Sequence, residues 1–411
     1  MTDKDNRIDN RPMPLEGIRV LEYGVFHAGP GASAILGDLG AEVIKIEEGI
    51  GDPERYWTSA GGMDFSTAEG ESFWYQMSNR SKKGIYLDIK KERGREILFR
   101  LVREADVFVT NLRKTTKPRL GIDYATMSRI NPLLIHANVS GFGPEGPACD
   151  IGAFDPMGQG RSGMMYLTGN ADPAIMNFGV LDQATAITTS HAIITALFVR
   201  ERHGIGQEIH VSLYSTAVWL LYCNLMMMSG LGIDPNVEWS RSKNSPLRNR
   251  FCCKDEKWII GTHHPEAKYW PAFCEIMGRP DLLDDPRFAD DAGRMANCAE
   301  LVSIFDEVFA TKTRDEWVEL FRERGLMFAP VQRINEVLTD PQALINGYVV
   351  DFDHPTLGRM KTPGYPAHFS AMRAGTQCHA PAIGEHTDII MQQMGYSDQD
   401  IQDMKKDGVI R

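Results

Sequence analysis

The 411-residue chain predicts an α/β protein built on a parallel sheet with helices on both faces. Three observations carry that reading. Short apolar runs bounded by Gly, Asp and Asn recur through the first half, and stretches of helical periodicity follow them. The runs are continuous, as in strands buried on both faces, and do not alternate as half-buried strands do. Strands alternating with helices favour a parallel, doubly wound sheet.

Taken in order, GIRVLEY reads as the first strand, GPGASAILGDLG as a turn running into a short helix, and AEVIKIEE as the second strand. The rhythm continues with a strand at 84–89, a helix at 91–104, and strands at 106–111 and 133–139. Residues 49–70 and 140–149 interrupt it as loops, the latter ending a strand where such sheets face ligands. Residues 204–213 return a strand and 215–229 a buried apolar helix, too short to span a bilayer. A polar, basic linker at 238–250 leads to a smaller segment with a strand at 257–262 and helices at 266–277 and 313–325. Strand-like runs fill 329–370, and two short helices separated at Gly395 end the chain.

Composition narrows function. A net charge of −11 argues against a nucleic-acid surface. The polar start MTDKDNRIDNRPMP lacks an apolar signal core, and the odd count of seven cysteines contains no CxxC; both point to free thiols in a reducing cytoplasm. Basic residues gather at Arg80/Lys82/Lys83, Lys90/Lys91 and Arg113/Lys114/Lys117/Arg119. On an acidic protein such clusters suit a phosphorylated ligand.

Residues 177–213 hold the sharpest candidate. Asp182 stands between a short apolar run and a long helix, whose Ala184, Ile187, Ile194, Ala196, Leu197 and Phe198 supply a buried face. It occupies an N-cap position, so it either caps the helix or is a carboxylate held ready as a nucleophile. The competing chemistry is nicotinamide-linked: GPGASA satisfies G-x-G-x-x-A, and Glu47 lies where a ribose-binding acid would. Against it, residues 23–28 separate strand from glycine, and Pro30 removes an N–H that phosphate would use. His263-His264 has no suitably spaced third ligand, so no metal is expected.

The run PLEGIRVLEYGVFHAGPGASAILGDLGAEVIKIEEGIGDPERYW resembles the opening of the family III CoA-transferases, which include formyl-CoA, carnitine and phenyllactate CoA-transferases. The likeness continues through NRSKKGIYLDIKKERGREIL, ADVFVTNLR, RLGIDY, TALFVRERHGIGQEIHVSL and APAIGEHTDIIMQQMGY. It implies a Rossmann-like large domain from residues 1–225 and 330–411, a linker and smaller α+β domain over 226–329, and an interlocked homodimer. Asp182 matches the family's nucleophile. His27, Ala28, Leu87, Lys90, Asn111 and Arg119 match its CoA contacts, with Arg113 an addition beside Asn111. Glu48 stands where the family has a basic contact.

The implied reaction moves CoA from an acyl-CoA cosubstrate to a carboxylic acid, without metal, nucleic acid or membrane. The related 2-methylacyl-CoA racemases place a proton-shuttling histidine before an aspartate; here Phe154 precedes Asp155, which disfavours racemisation. Asp155 is expected as a polar contact near the substrate or as an N-cap for the helix after it. No glycine-run loop of the formyl/oxalate enzymes occurs in RSKNSPLRNRF, so the acceptor expected is an aryl or branched 2-hydroxy acid. The alternatives are a racemase-like enzyme, an NAD-linked oxidoreductase and a non-catalytic acyl-CoA-binding subunit.

Overall fold

Strand β1 (Arg19–Glu22) lies inside a six-stranded sheet in which every neighbour runs parallel to it or to the next. This computed structural model describes residues 10–177, 179–235 and 240–411. Most of the polar N-terminus, Phe178 in the Asp182 stretch, and 236–239 of the expected linker therefore lie outside the described residues.

The chain divides into two compact units, one from Met1–Thr168, Pro173–Pro235 and Gly347–Arg411, the other from Gly169–Asp172 and Asn236–Asn346. After β1 the first unit runs α1 (Ala28–Asp38), β2 (Glu42–Glu47), a 3-10 turn (Pro53–Tyr56) and a hairpin of β3 (Ser59–Ala60) and β4 (Met63–Asp64). Then come α2 (Phe73–Asn79), β5 (Lys83–Tyr86), α3 (Glu92–Arg103), β6 (Val107–Thr110), α4 (Thr116–Leu120) and α5 (Tyr124–Ile130). β7 (Ile135–Ser140), α6 (Asp155–Ser162), α7 (Val180–His203), β8 (Gln207–Ser212), α8 (Leu213–Leu220) and α9 (Tyr222–Leu231) complete the series. The sheet order is β5-β2-β1-β6-β7-β8.

Successive strand residues feed opposite cores, which is why the runs are continuously apolar. Leu21, Ile44 and Phe108 pack with α3 and with Ile390, Met391, Ile401 and Met404 from the C-terminal helices. Val20, Val43, Val107 and Val109 pack with Ile193, Ala196 and Leu197 of α7. The C-terminal helices thus share the core of the first strands. The second unit has its own aromatic core, including Phe273, Phe309, Trp317 and Phe321, over an antiparallel three-stranded sheet.

Three local expectations change. The GPGASA run is not a turn but lies inside α1, which starts directly after His27. Its glycines serve close packing: a Cβ on Gly31 would approach Ala186 of α7 to 3.1 Å, and one on Gly29 would press the Asn111 side chain at 3.3 Å. The apolar stretch expected as one buried helix is two, α8 and α9, and Trp219 and Leu231 are 70% and 71% exposed. The face expected to be buried on α7 is split, since Ala196 and Leu197 are buried while Ile187, Ile194 and Phe198 are exposed.

Candidate active site

Parallel strands aim their carboxyl ends at one edge, and ligands collect where the crossovers diverge to either side. Here β1 connects to β2 on one flank, while its other neighbour is β6. A cleft of about 850 Å³ opens at that edge, lined by Val25–Ala28 after β1, Asn111–Lys114 and Lys117 after β6, the loop after β7, and Asp182.

A buried ion network shapes the rim. Lys45 Nζ donates to Glu22 Oε1 at 2.8 Å, to Asp52 Oδ2 at 2.9 Å and to the Gly24 carbonyl at 3.2 Å. Lys82 Nζ donates to Glu22 Oε2 at 2.6 Å and to the Pro30 carbonyl at 2.9 Å. Asp52 Oδ1 accepts the N–H of Phe26, a residue held at φ +57°. That left-handed conformation is costly for a bulky residue and persists only where its surroundings over-determine it. Asn111 adds the second clamp, accepting the Val25 N–H at 3.0 Å and donating to the Val25 carbonyl at 2.6 Å.

His27, next in the chain, therefore has a fixed place in the cleft. Its Nδ1 lies 2.6 Å from Ser78 Oγ and its Nε2 lies 2.9 Å from Gln183 Oε1. Burial shifts its ionisation downward, so the ring is neutral near pH 7.

Asp182 is not the cap of α7. It is the third residue of the helix, after Gly179, which takes the cap position at φ +60° and packs under Trp74. The free N–H groups at the helix start are met from another helix: Asp155 Oδ2 accepts those of Leu181 at 2.6 Å and Asp182 at 3.0 Å. Asp155 is thus not the N-cap of α6, where Phe154 holds that position. It is buried, bonded also by Gln159, and stands behind the cleft wall. Among the described residues no donor meets the Asp182 carboxylate. Burial first, and the neighbouring Asp155 second, push its carboxyl up to about 7.

The cleft brings together His27, Ala28, Asn111, Arg113, Phe154 and Asp182. Phe154 is 57% exposed and meets Phe26 edge-on at 5.2 Å. Leu87, Lys90 and Arg119 are not among the lining residues. Leu87 is fully buried in the core beneath β5, Lys90 pairs with Glu48 at 2.5 Å, and Arg119 Nε donates to the Thr115 carbonyl. Of the three basic clusters, only Arg113, Lys114 and Lys117 face the cleft. Arg80 and Lys83 are paired with Asp38 and Glu42. Glu47 is likewise unavailable to a ribose, because Arg55 grips its carboxylate at 2.6 and 2.9 Å.

Several cleft or near-cleft groups escape sequence reading. Ser78 and Gln183 flank His27 from 51 and 156 positions away, a separation no local pattern encodes. Lys117 reaches Asn138 across the cleft floor, and burial lowers its pKa. Trp57, Phe65 and Trp74 form an aromatic group with centroids 5.3–6.1 Å apart, Trp74 lying 5.5 Å from the His27 ring. Their interleaving with polar residues over 57–74 hides the cluster until the loop folds back.

An open parallel sheet, with a raised-pKa carboxylate in a cleft at its carboxyl edge that Arg113, Lys114 and Lys117 also line, fits an α/β enzyme that transfers a group. The chain belongs to CoA-transferase family III, whose profile matches residues 15–387. It is 31% identical to human succinyl-CoA:glutarate CoA-transferase over 98% of this chain and 91% of that one. It is 30% identical to cinnamoyl-CoA:phenyllactate CoA-transferase of Clostridium sporogenes over 97% and 98% of the two chains. A crystal structure of a CaiB/BaiF family protein from Brucella suis superposes with a TM-score of 0.83 at 29% identity, covering 93% of this chain and all of that one. The protein is a CoA-transferase, and its substrates are CoA thioesters and carboxylic acids.

The acidity of Asp182 has a consequence for stability. Its carboxyl titrates near 7 in the folded chain and near 3.8 when free, so between those values the native state binds the extra proton. Stability is then full below the lower value and falls as pH rises through the upper one. Asp182→Asn, neutral at every pH, is expected to match the wild type near pH 4 and to exceed it at pH 8 by on the order of 1–2 kcal/mol, after discounting for partial exposure. Urea denaturation at the two pH values measures this; a variant less stable at pH 8 would show that Asp182 holds the helix together instead.

Proposed function

We propose that the enzyme transfers CoA through covalent intermediates on Asp182. The carboxylate attacks the thioester carbonyl of the donor, expelling CoA thiolate and leaving an acyl–aspartyl anhydride. The thiolate then attacks the aspartyl carbonyl, which releases the donor acid and leaves an aspartyl-CoA thioester. The acceptor carboxylate attacks that thioester, and the returning thiolate takes the new acyl group from the second anhydride, regenerating Asp182. The observation that carries the reading is the Asp182 carboxylate itself: it lines the cleft with no donor bound to it among the described residues, and its raised pKa makes it a stronger nucleophile once ionised.

His27, Ala28, Asn111 and Arg113 are proposed to contact CoA from the cleft, and the charge of Arg113 with Lys114 and Lys117 suits its phosphates. Leu87, Lys90 and Arg119 are proposed contacts on the resemblance alone; Lys90 would have to leave Glu48 to act. Phe154 has no proton to give, which speaks against a racemase, and GPGASA sits within a helix with Glu47 occupied, which speaks against NAD.

We further propose an aryl or branched 2-hydroxy acid as acceptor, supported by the aromatic group beside His27 and by likeness to the phenyllactate enzyme. The protein is proposed to act in the cytoplasm, a reading supported by its free cysteines; among the described residues no helix is long and apolar enough to cross a membrane. Self-association into an interlocked homodimer is supported by exposed apolar residues on α7 and on α8–α9, since Ile187, Phe198, Trp219 and Leu231 would otherwise meet water.

Three outcomes check these statements. Incubation with an acyl-CoA and then hydroxylamine should inactivate the enzyme and leave a hydroxamate on Asp182 by peptide mass spectrometry; Asp182→Ala should lower kcat by roughly a thousandfold or more. A hydroxamate elsewhere would refute the nucleophile. With one donor, kcat/KM for phenyllactate should exceed that for glutarate about tenfold, and the reverse order would remove the aryl assignment. Light scattering should give twice the chain mass, with Phe198→Asp shifting it toward one; a wild-type monomer would end the dimer proposal.

A further inference from the structure

The interior below the cleft holds one acid too many. Glu22, Asp52 and Glu47 are matched by Lys45, Lys82 and Arg55 through contacts of 2.6–2.9 Å, so these groups already balance. Glu54 is a further acid beside them, fully buried, and its Oε2 meets no hydrogen-bond partner among the described residues. A lone ionised carboxylate in such surroundings is costly, and proteins avoid it by keeping the proton. Burial, with Asp52 alongside, pushes the Glu54 carboxyl up to about 8.

The other oxygen of Glu54 leads to the cleft. Oε1 lies 3.2 Å from Ser78 Oγ, Ser78 Oγ lies 2.6 Å from His27 Nδ1, and His27 Nε2 lies 2.9 Å from Gln183 Oε1. Each link needs one proton, and a serine hydroxyl has one to give. If Ser78 gives it to Glu54, then Nδ1 must carry the imidazole proton and Nε2 is bare. If Glu54 gives its own proton to Ser78, then Ser78 donates to Nδ1, and Nε2–H donates to Gln183. The second arrangement satisfies every link as it stands.

We infer that Glu54, in its protonated form, is a positioning residue that acts through Ser78 to fix His27 as the Nε2–H tautomer. Residues of three separate elements, the 3-10 turn, α2 and the start of α1, thereby set which face of one imidazole carries hydrogen. The ring is in the cleft beside the residue that follows Asp182. An N–H there is a donor for which oxygen that gains charge during acyl transfer can compete with Gln183 Oε1, whereas a bare nitrogen would repel it. Loss of the Glu54 proton reverses the chain.

The groups facing Glu54 are Asp52 on its own turn, Lys45 from β2, Ser78 from α2, and Lys82 and His27. Arg80, Lys82 and Asp155 act on His27 from farther off. Asp52 opposes ionisation of Glu54; Lys45, Lys82 and a hydrogen bond donated by Ser78 would favour it, and burial outweighs them. The effect on turnover rests on the Asp182 reading above, but the tautomer does not.

The test reads the tautomer in the full-length enzyme without substrate, by ¹⁵N-histidine NMR, with His27→Gln identifying the signal. The wild type should show Nε2–H at pH 7 and pass to Nδ1–H above about pH 8. Glu54→Gln, whose amide N–H donates to Ser78 at any pH, should keep Nε2–H to about pH 9.5. Turnover should follow: the wild type loses kcat roughly fivefold or more above pH 8, while Glu54→Gln stays within about twofold. An Nδ1–H tautomer at pH 7, or one indifferent to pH in the wild type, overturns the inference. Should Glu54→Gln fail to fold, Ser78→Ala replaces it: with the link cut, the tautomer should no longer change between pH 7 and about pH 9.5, and a retained switch to Nδ1–H above about pH 8 refutes the chain. If hydroxylamine trapping fails while these tautomers hold, the transfer reading falls alone.

Discussion

The cleft depends on the contact between Lys45, Glu22 and Asp52 in the buried interior behind β1 and β2. Burial alone would raise the Glu22 carboxyl, yet Lys45 and Lys82 hold it down to about 2. Removing one partner from such a pair typically costs about 3–5 kcal/mol, because the other charge is left uncompensated. An apolar set of similar volume could stabilise the fold equally well, so the network is better understood by what it positions. It ties Gly24, Phe26 and Pro30 to the side chains of Lys45, Asp52 and Lys82 by named hydrogen bonds. Those bonds hold Phe26 in its left-handed conformation, and from Phe26 they set the direction of His27.

Asp182 illustrates a competition between two effects of a helix start. The macrodipole favours an anion there by about 0.3–1 kcal/mol, which is less than one pH unit. Desolvation acts the other way and is larger, and the charge of Asp155, which also accepts the N–H groups of Leu181 and Asp182, adds to it. The balance leaves Asp182 less acidic than an ordinary aspartate. Its ionisation thus depends on a second carboxylate that does not line the cleft.

The same redistribution explains where the family resemblance and the free geometry part. Lys90, in the turn after β5, and Arg119, in α4 after β6, lie beyond strands as expected, but pair locally and line no part of the cleft. Leu87 ends the β5 region with its side chain in the core. Arg113, by contrast, follows Asn111 directly, and the clamp of Asn111 on Val25 carries it to the rim.

Much was legible in the residues alone. Continuous apolar runs separated by helix-period stretches determined a parallel sheet, because strands buried on both faces have no polar side to show. The strand at 106–111 and its Asn111 could be located from pattern, as could the helix bearing Asp182. Tertiary structure decided what pattern cannot reach. It turned GPGASA from a phosphate-loop candidate into a packing surface, because Gly31 meets Ala186 only once α1 lies on α7. It moved the capping role from Asp182 to Asp155, exposed half of the apolar face of α7, and joined Glu54 to His27 through Ser78. Periodicity reports which side of an element is buried, but hydrogen-bond partners and ionisation depend on groups that meet only after the chain has closed on itself.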